Sequence, residues 1–224
     1  MRLLILGYNG KTERAVDNFR ADRRFGDAEV VIVADQYEHP LPHREDIEHV
    51  RGEPNKIEVL KRAGAQDATA ILVLASNPRE ARCDHESAMI VTNLRRLNDQ
   101  APVVVEMVDG DNREHLSYAG ATTMVNERYT IANLLVRSVQ DVGVSDLICE
   151  LLASEIGSEI YRVAVPAEYV GRPFSSLARA ALAERRTVIG IAPREGPAVL
   201  LAPEPERVLE ESDDYFVVSR VPVV

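Results

Sequence analysis

A glycine-containing turn follows the first apolar run of the chain, and its residue types suit phosphate binding. The turn comprises Gly7, Tyr8, Asn9, Gly10, Lys11 and Thr12. Backbone N–H groups at the start of a helix point toward an anion, and the helix dipole favours negative charge. The usual dinucleotide fingerprint has glycine at its first, third and sixth positions, and this chain has Gly7, Asn9 and Thr12 there. Asn tolerates a left-handed backbone, but Thr12 would hold the helix farther from the strand, so an empty turn is equally consistent.

Small and acidic residues follow the next three predicted strands. Asp35 follows the second strand, where a carboxylate accepts hydrogen bonds from both ribose hydroxyls of an adenine nucleotide and repels a 2′-phosphate. The third and fourth strands end in Gly52, Glu53, Ala75, Ser76 and Asn77. Singly, each position is also typical of a solvated loop, but four compatible strand ends predict a crevice for an adenine nucleotide, either NAD/NADH or ADP/ATP. Lys11, Arg79 and Arg82 are candidates for balancing phosphate charge, and for both arginines a solvated loop is the alternative.

Carboxylates in the second half of the sheet provide a candidate divalent-cation site. Glu106 lies in the fifth predicted strand, and Asp109 and Asp111 follow it. Calcium accepts carboxylate and carbonyl oxygens in loose geometry. The chain has 36 acidic residues, so a solvated acidic face is the alternative, also for the later cluster of Glu150, Glu155 and Glu159.

The sequence lacks the motifs of several enzyme classes. It has no Tyr-x-x-x-Lys pair, no Gly-x-Ser-x-Gly elbow, no Walker lysine motif and no His-Glu-x-x-His. Hydride transfer requires a proton donor or acceptor near the nicotinamide, and His85 and His115 have no obvious partner. We therefore expect a regulatory module rather than an enzyme. An NAD-dependent oxidoreductase and a structural adaptor with an empty crevice are the alternatives.

The overall composition restricts the partners and the compartment. The formal net charge of −10 argues against nucleic acid or an anionic membrane as the main partner, since both require a basic face. Two distant cysteines, Cys83 and Cys149, are typical of reduced thiols in a cytoplasm. No apolar run approaches the roughly 20 residues that a membrane helix needs, so we expect no membrane span.

The elements that position these residues form an α/β pattern. Strands are predicted at residues 2–6, 29–34, 49–51, 70–74, 103–107 and 122–125, and helices at 12–23, 57–63, 84–97 and 112–119. Near-continuous Val, Ile and Leu strands between helices predict a Rossmann-like doubly wound parallel sheet. The link from Gln36 to Ile47 contains Pro40 and Pro42, so we expect no full helix there.

The pattern changes after the sheet. Residues 1–128 are predicted to form the nucleotide-binding lobe, residues 129–157 two amphipathic helices joined at Gly143, and residues 158–224 a small α+β C-terminal lobe. Ser145 is a candidate cap for the second helix. The helices either pack on their own domain or cross to a second subunit. Strands are predicted in the lobe at 160–165, 187–192, 198–202 and 215–221.

The order of these segments resembles the RCK domain, the regulator of potassium conductance found below the pores of ligand-gated potassium channels and in subunits of potassium transporters. The similarity covers essentially the whole chain. It is carried by Leu4 to Thr12, by Val50 to Pro54 with the following helix and strand, by Leu116 to Ala121 with the paired helices, and by Ser212 to Val217. The segment from Asn77 to Glu86 is also similar to the Castor/Pollux branch.

This resemblance implies an assembly and a cellular place. The paired helices would join two subunits in a homodimer, and four dimers would form an octameric gating ring. The ring would lie in the cytoplasm at the inner face of the membrane, attached to a potassium-channel pore or a transporter subunit. Calcium-gated archaeal members have three acids where this chain has Leu74, Glu106 and Val108, so we expect that particular calcium site to be absent.

Overall fold

The computed structural model describes residues 1–153, 157–194 and 199–223, which form two compact units, Met1–Val142 and Gly143–Val224. In the first unit the strands are β1 (Arg2–Leu6), β2 (Glu29–Ala34), β3 (Ile47–Arg51), β4 (Ala70–Val73), β5 (Val103–Met107) and β6 (Thr123–Asn126). The helices are α1 (Thr12–Ala21), α2 (Ile57–Arg62), α3 (Arg82–Arg95), α4 (Arg113–Ala119) and α5 (Glu127–Gln140). The predicted strands and helices of this unit are confirmed, with bounds that differ by up to two residues.

The six strands form one parallel sheet in the order β3-β2-β1-β4-β5-β6. This is the doubly wound order, and the predicted Rossmann-like sheet is confirmed. Along the chain, strands are added on one side of β1 up to β3 and on the other side of β1 from β4 onward. Ligands of such folds bind beside the carboxyl ends of the strands at this switch point, between β1 and β4.

Both faces of the sheet are buried, which explains its unbroken apolar strands. On one face, Leu3 and Ile5 pack with Val16 of α1 and with Leu41 of the link between β2 and β3. On the other, Leu4 and Leu6 belong to a cluster that includes Leu60 of α2, Val91 and Leu94 of α3 and Leu116 of α4. The proline-containing link has no helix, as predicted.

The second unit contains α6 (Val144–Leu152), β7 (Glu159–Ala164), α7 (Phe174–Ala183), β8 (Thr187–Ala192), β9 (Leu200–Leu201) and β10 (Asp214–Ser219). Its antiparallel sheet has the order β7-β10-β8-β9 and packs around Tyr161, Phe174, Leu177, Ile191 and Val217. The small α+β lobe is thus present. Ser145 lies inside α6 and Gly143 precedes that helix with φ of +96°, so the predicted serine cap is wrong.

The division between the units falls at Val142 and Gly143. The two predicted crossover helices, α5 and α6, therefore belong to different units, whereas the sequence pattern grouped them as residues 129–157. Glu155 of the predicted acidic cluster and Ala198 of the predicted third lobe strand lie outside the described residues. Among the described residues, none of the helices is long and apolar enough to cross a membrane.

Candidate functional site

A cavity of about 490 Å³ opens where the carboxyl ends of β1 to β4 meet. We call it the strand-end cavity. Its wall is formed by Gly7, Tyr8, Ala34, Asp35, Gln36, Glu53, Pro54, Asn55, Leu74, Ser76, Cys83, Glu86, Ser87 and Ile90. The position matches the crevice in which open α/β sheets bind ligands, and its volume suits part of a nucleotide.

Gly7 allows the turn after β1 to approach β4 closely. Its backbone has φ of +94°, and a Cβ atom placed there would lie 2.5 Å from the carbonyl oxygen of Leu74. The Gly7 N–H donates to the carbonyl of Val33 on β2 at 2.9 Å. Only glycine combines this backbone with this approach, so Gly7 joins three strand ends at the mouth of the cavity.

The carboxylate of Glu106 holds the same turn through hydrogen bonds. Glu106 is buried on β5, and its Oε2 accepts hydrogen bonds from Asn9 Nδ2 at 2.8 Å and from the Ala75 N–H at 3.1 Å. The Asn9 amide also donates to the Ala75 carbonyl at 2.8 Å. Buried carboxylates are stabilised when several donors satisfy them. Glu106 therefore connects the β1 turn to the end of β4.

Lys11 completes this cluster as its cation. Its Nζ lies 2.6 Å from Glu106 Oε1 and 2.6 Å from Oε2 of Glu127, the first residue of α5. Partial burial by itself would lower the pKa of Lys11, but hydrogen bonds to both carboxylates raise the pKa above its ordinary value. Lys11 is thus charged and paired with acids, and it does not line the strand-end cavity.

The predicted nucleotide-site residues fall into two groups. Those that line the cavity are Gly7, Tyr8, Asp35, Glu53 and Ser76. The others support the wall or lie beside it, namely Asn9, Gly10, Lys11, Thr12, Gly52, Ala75 and Asn77. Thr12 is fully buried, and its hydroxyl accepts the Asn9 N–H at 3.1 Å. Neither Arg79 nor Arg82, the predicted phosphate cations, lines the cavity, and Arg82 pairs with Glu80.

Sequence reasoning missed the residues that α3 contributes. Cys83, Glu86, Ser87 and Ile90 line the cavity, and their spacing of three or four residues places them on one face of the helix. That periodicity is a signal visible in the sequence. Asn55 of the β3–α2 connection was also missed. Its neighbour Glu53 was predicted, and the two lie two residues apart along the same loop.

The environment of Glu106 bears on the candidate cation site. Both of its carboxylate oxygens accept hydrogen bonds from N–H donors, including the ammonium of Lys11. Asp109 and Asp111 are joined through the local hydrogen bond from the Asp111 N–H to Asp109 Oδ1 at 3.1 Å. Within the described part of the chain, no cluster of three or more His, Cys, Asp or Glu residues has metal-binding geometry.

Helix α5 presents an apolar face that its own unit does not cover. Ile131, Leu135, Val136 and Val139 are exposed by 47%, 64%, 56% and 86%, and α5 has no buried residue. Contiguous exposed apolar surface of this kind marks interaction sites in soluble domains. The first turn of the same helix carries Glu127, which pairs with Lys11 beside the candidate site.

Comparison with known proteins identifies the family. The profile of a family described as TrkA-N domain matches residues 3–127, more than half of the chain. The calcium-gated potassium channel TvoK of Thermoplasma volcanium is 21% identical over 164 residues, which are 71% of this chain and 46% of that protein. The putative potassium channel protein YugO of Bacillus subtilis is 22% identical over 217 residues, covering 96% of this chain and 65% of that protein. The chain thus spans only about half to two-thirds of these relatives.

Solved structures agree on the fold. The human SLO3 gating ring superposes with a TM-score of 0.75 at 14% identity, over 99% of this chain and 45% of that chain. The GsuK channel bound to NAD superposes with a TM-score of 0.50 at 20% identity, over 97% of this chain and 36% of that chain. At these identities the likeness concerns the fold alone.

Proposed function

The chain belongs to the TrkA-N domain family, the RCK-type domains that the sequence resembles, and from that premise we propose that it is a ligand-sensing regulatory module of a potassium channel or transporter. Its ligand is an adenine nucleotide bound in the strand-end cavity. The observation that carries the proposal is this cavity at the switch point of the sheet, with Asp35 at the end of β2. Ligand occupancy would alter a partner pore.

The similar proteins support the potassium and nucleotide parts of the proposal. Two relatives are described as potassium channels, and one solved relative is described as bound to NAD. By analogy, the module lies in the cytoplasm and acts on a pore or transporter subunit in the membrane. The pore is either a separate polypeptide or a segment absent from the present chain.

The nucleotide is read as a signal and is not consumed. Support for this reading comes from the sequence, which has no Tyr-x-x-x-Lys pair and none of the other catalytic motifs considered above. An NAD-dependent oxidoreductase on the same fold is the alternative function. A nicotinamide-linked absorbance change with a small substrate would favour that alternative over a sensor.

Nucleotide titration tests the sensing role. Isothermal titration calorimetry with NAD, NADH, ADP and ATP should show saturable binding of at least one of them. Asp35→Ala should weaken that binding by roughly tenfold, because two hydroxyl donors lose a charged acceptor. Asp99→Ala is the matched control, since Asp99 is an exposed acid in the α3–β5 connection and does not line the cavity. Equal loss in both variants would contradict the assignment of Asp35.

We propose that the apolar face of α5 forms a homodimer interface, with an octameric ring as the higher assembly. A self-complementary apolar face is a common basis of two-fold interfaces. Leu135→Asp should shift the light-scattering mass to a monomer, because a charge would be buried without a partner. Leu182→Asp on α7 is the control, since its side chain is exposed to nearly the same degree, 62% against 64%. A wild-type chain that is monomeric at high concentration would refute the dimer.

A further inference from the structure

The strand-end cavity has an acidic wall. Asp35, Glu53 and Glu86 line it, whereas within the described residues it is lined by no lysine, arginine or histidine. Lys56 Nζ lies 3.4 Å from Glu53 Oε2 in an exposed pair and offsets one of these charges in part. The Glu86 carboxylate accepts a hydrogen bond from the Ser76 hydroxyl at 3.0 Å. The wall is therefore unfavourable for a ligand that carries many negative charges.

The turn after β1 uses its own donors internally. The Asn9 N–H donates to Thr12 Oγ1 at 3.1 Å, and the Lys11 N–H donates to Asn9 Oδ1 at 2.9 Å. The Thr12 N–H donates to the Asn9 carbonyl at 3.1 Å. The ammonium of Lys11 is held between two carboxylates. A phosphate group placed at this turn would find few free N–H groups and no unpaired cation in the turn itself.

The hydroxyl of Ser87 is a further polar group of the wall. Ser87 is 2% exposed and lines the cavity, and none of the hydrogen bonds among the described residues uses its hydroxyl. This hydroxyl can accept a hydrogen bond from a donor group of a ligand. With the three carboxylates, it makes the wall rich in acceptors.

From these observations we propose that the strand-end cavity holds the adenosine part of a nucleotide with low net negative charge and selects against polyphosphates. Ribose hydroxyls and the exocyclic amine of adenine are donors, which the acceptor-rich wall can satisfy. NAD⁺ suits the site because its nicotinamide cation offsets part of its phosphate charge, whereas the triphosphate of ATP meets both the acidic wall and the self-bonded turn. The inference rests on the proposed function and specifies its ligand class.

Calorimetry in magnesium-free, low-salt buffer tests this selection with adenosine, NAD⁺, ADP and ATP. Adenosine and NAD⁺ should bind at least about tenfold more tightly than ATP, since carboxylates near a phosphate repel it at low ionic strength. Glu86→Gln should raise the ratio of ATP affinity to adenosine affinity by roughly threefold, because glutamine keeps an acceptor oxygen but removes the charge. Glu114→Gln on α4 is the control, because Glu114 is exposed and does not line the cavity.

The outcomes separate this inference from the proposed function. Tighter binding of ATP than of NAD⁺, or equal binding of all four compounds, would overturn the charge selection and leave nucleotide sensing intact. Binding of none of them would overturn both. An ATP affinity that rises equally in the Glu86 and Glu114 variants would also overturn the inference, because a general change in net charge would then account for the effect.

Discussion

Replacement of Gly7 by alanine should separate the turn after β1 from β4. The backbone at Gly7 has φ of +94°, and an added Cβ would lie 2.5 Å from the Leu74 carbonyl oxygen. A left-handed backbone costs a residue with a side chain about 1–2 kcal/mol. Relief of a clash with rigid backbone costs a further 1–3 kcal/mol, roughly. We therefore expect Gly7→Ala to lower the free energy of unfolding of the first unit by about 2–5 kcal/mol.

Gly10 in the same turn provides a matched control. A Cβ atom at Gly10 would meet nothing within 4 Å, and its backbone lies outside the left-handed region. Gly10→Ala should change the free energy of unfolding by less than about 0.5 kcal/mol. Both variants add one methyl group to the same turn. The difference between their free energies of unfolding therefore isolates the effect of the backbone conformation and close approach at Gly7.

Urea denaturation followed by far-ultraviolet circular dichroism measures the effect. The Gly7→Ala midpoint should fall while the dependence on denaturant stays near that of the wild type, since the surface exposed on unfolding is unchanged. Nucleotide affinity should fall in the same variant, because Gly7 and Leu74 both line the cavity. Equal midpoints for the Gly7 and Gly10 variants would refute the argument from backbone geometry.

Two further predictions concern charged groups of the first unit. Glu106→Ala should lower the free energy of unfolding of this unit by about 2–4 kcal/mol, because Asn9 and Lys11 lose a buried acceptor. Glu106→Gln should lower that free energy less, and equal denaturation midpoints of the two variants would contradict the prediction. Hydrogen bonding from Arg44, joined by Arg20, lowers the pKa of Asp46 from 3.8 to about 2. That stabilisation is present above pH 3.8 and disappears as the pH falls through about 2, so the stability advantage of the wild type over Asp46→Asn should shrink between those values in denaturation at several pH values.

The sheet could be predicted because its strands follow a simple rule. Strands such as Arg2–Leu6 and Glu29–Ala34 are buried on both faces, and their unbroken apolar sequence reflects this. Helix starts were harder to locate. Ser145 suits a cap chemically, but Gly143 takes a left-handed backbone just before α6, and the helix starts two residues earlier than a Ser145 cap would place it.

The site could be predicted only along the strand ends. Asp35, Glu53 and Ser76 lie within three residues of the ends of β2, β3 and β4, so the topology of the sheet places them at one edge. Ser87 and Glu86 reach the same cavity from α3, and their contribution depends on how that helix packs. The pairing of Lys11 with Glu106 could not be predicted either, because the two residues are 95 positions apart along the chain. Both residue types are also common on solvated surfaces.

The sequence pattern of α5 does not show which surface covers its apolar side chains. The apolar stripe of α5 is compatible with packing on its own domain or against a second subunit. The structure leaves Leu135 and Val139 exposed by 64% and 86%, which is the observation behind the proposed dimer. The exposure of a side chain depends on how the folded chain packs, so the apolar periodicity of a helix cannot predict it.

Native mass spectrometry of the purified chain tests the central claim most directly, because one spectrum reports both the oligomer and the bound ligand. Our account predicts a dimer or a multiple of it that carries up to one adenine nucleotide per chain after NAD⁺ is added. The released nucleotide should be chemically unchanged. A monomer that remains free of nucleotide in excess NAD⁺, or a nucleotide recovered in reduced or cleaved form, would contradict the account of a non-catalytic, nucleotide-sensing regulatory module.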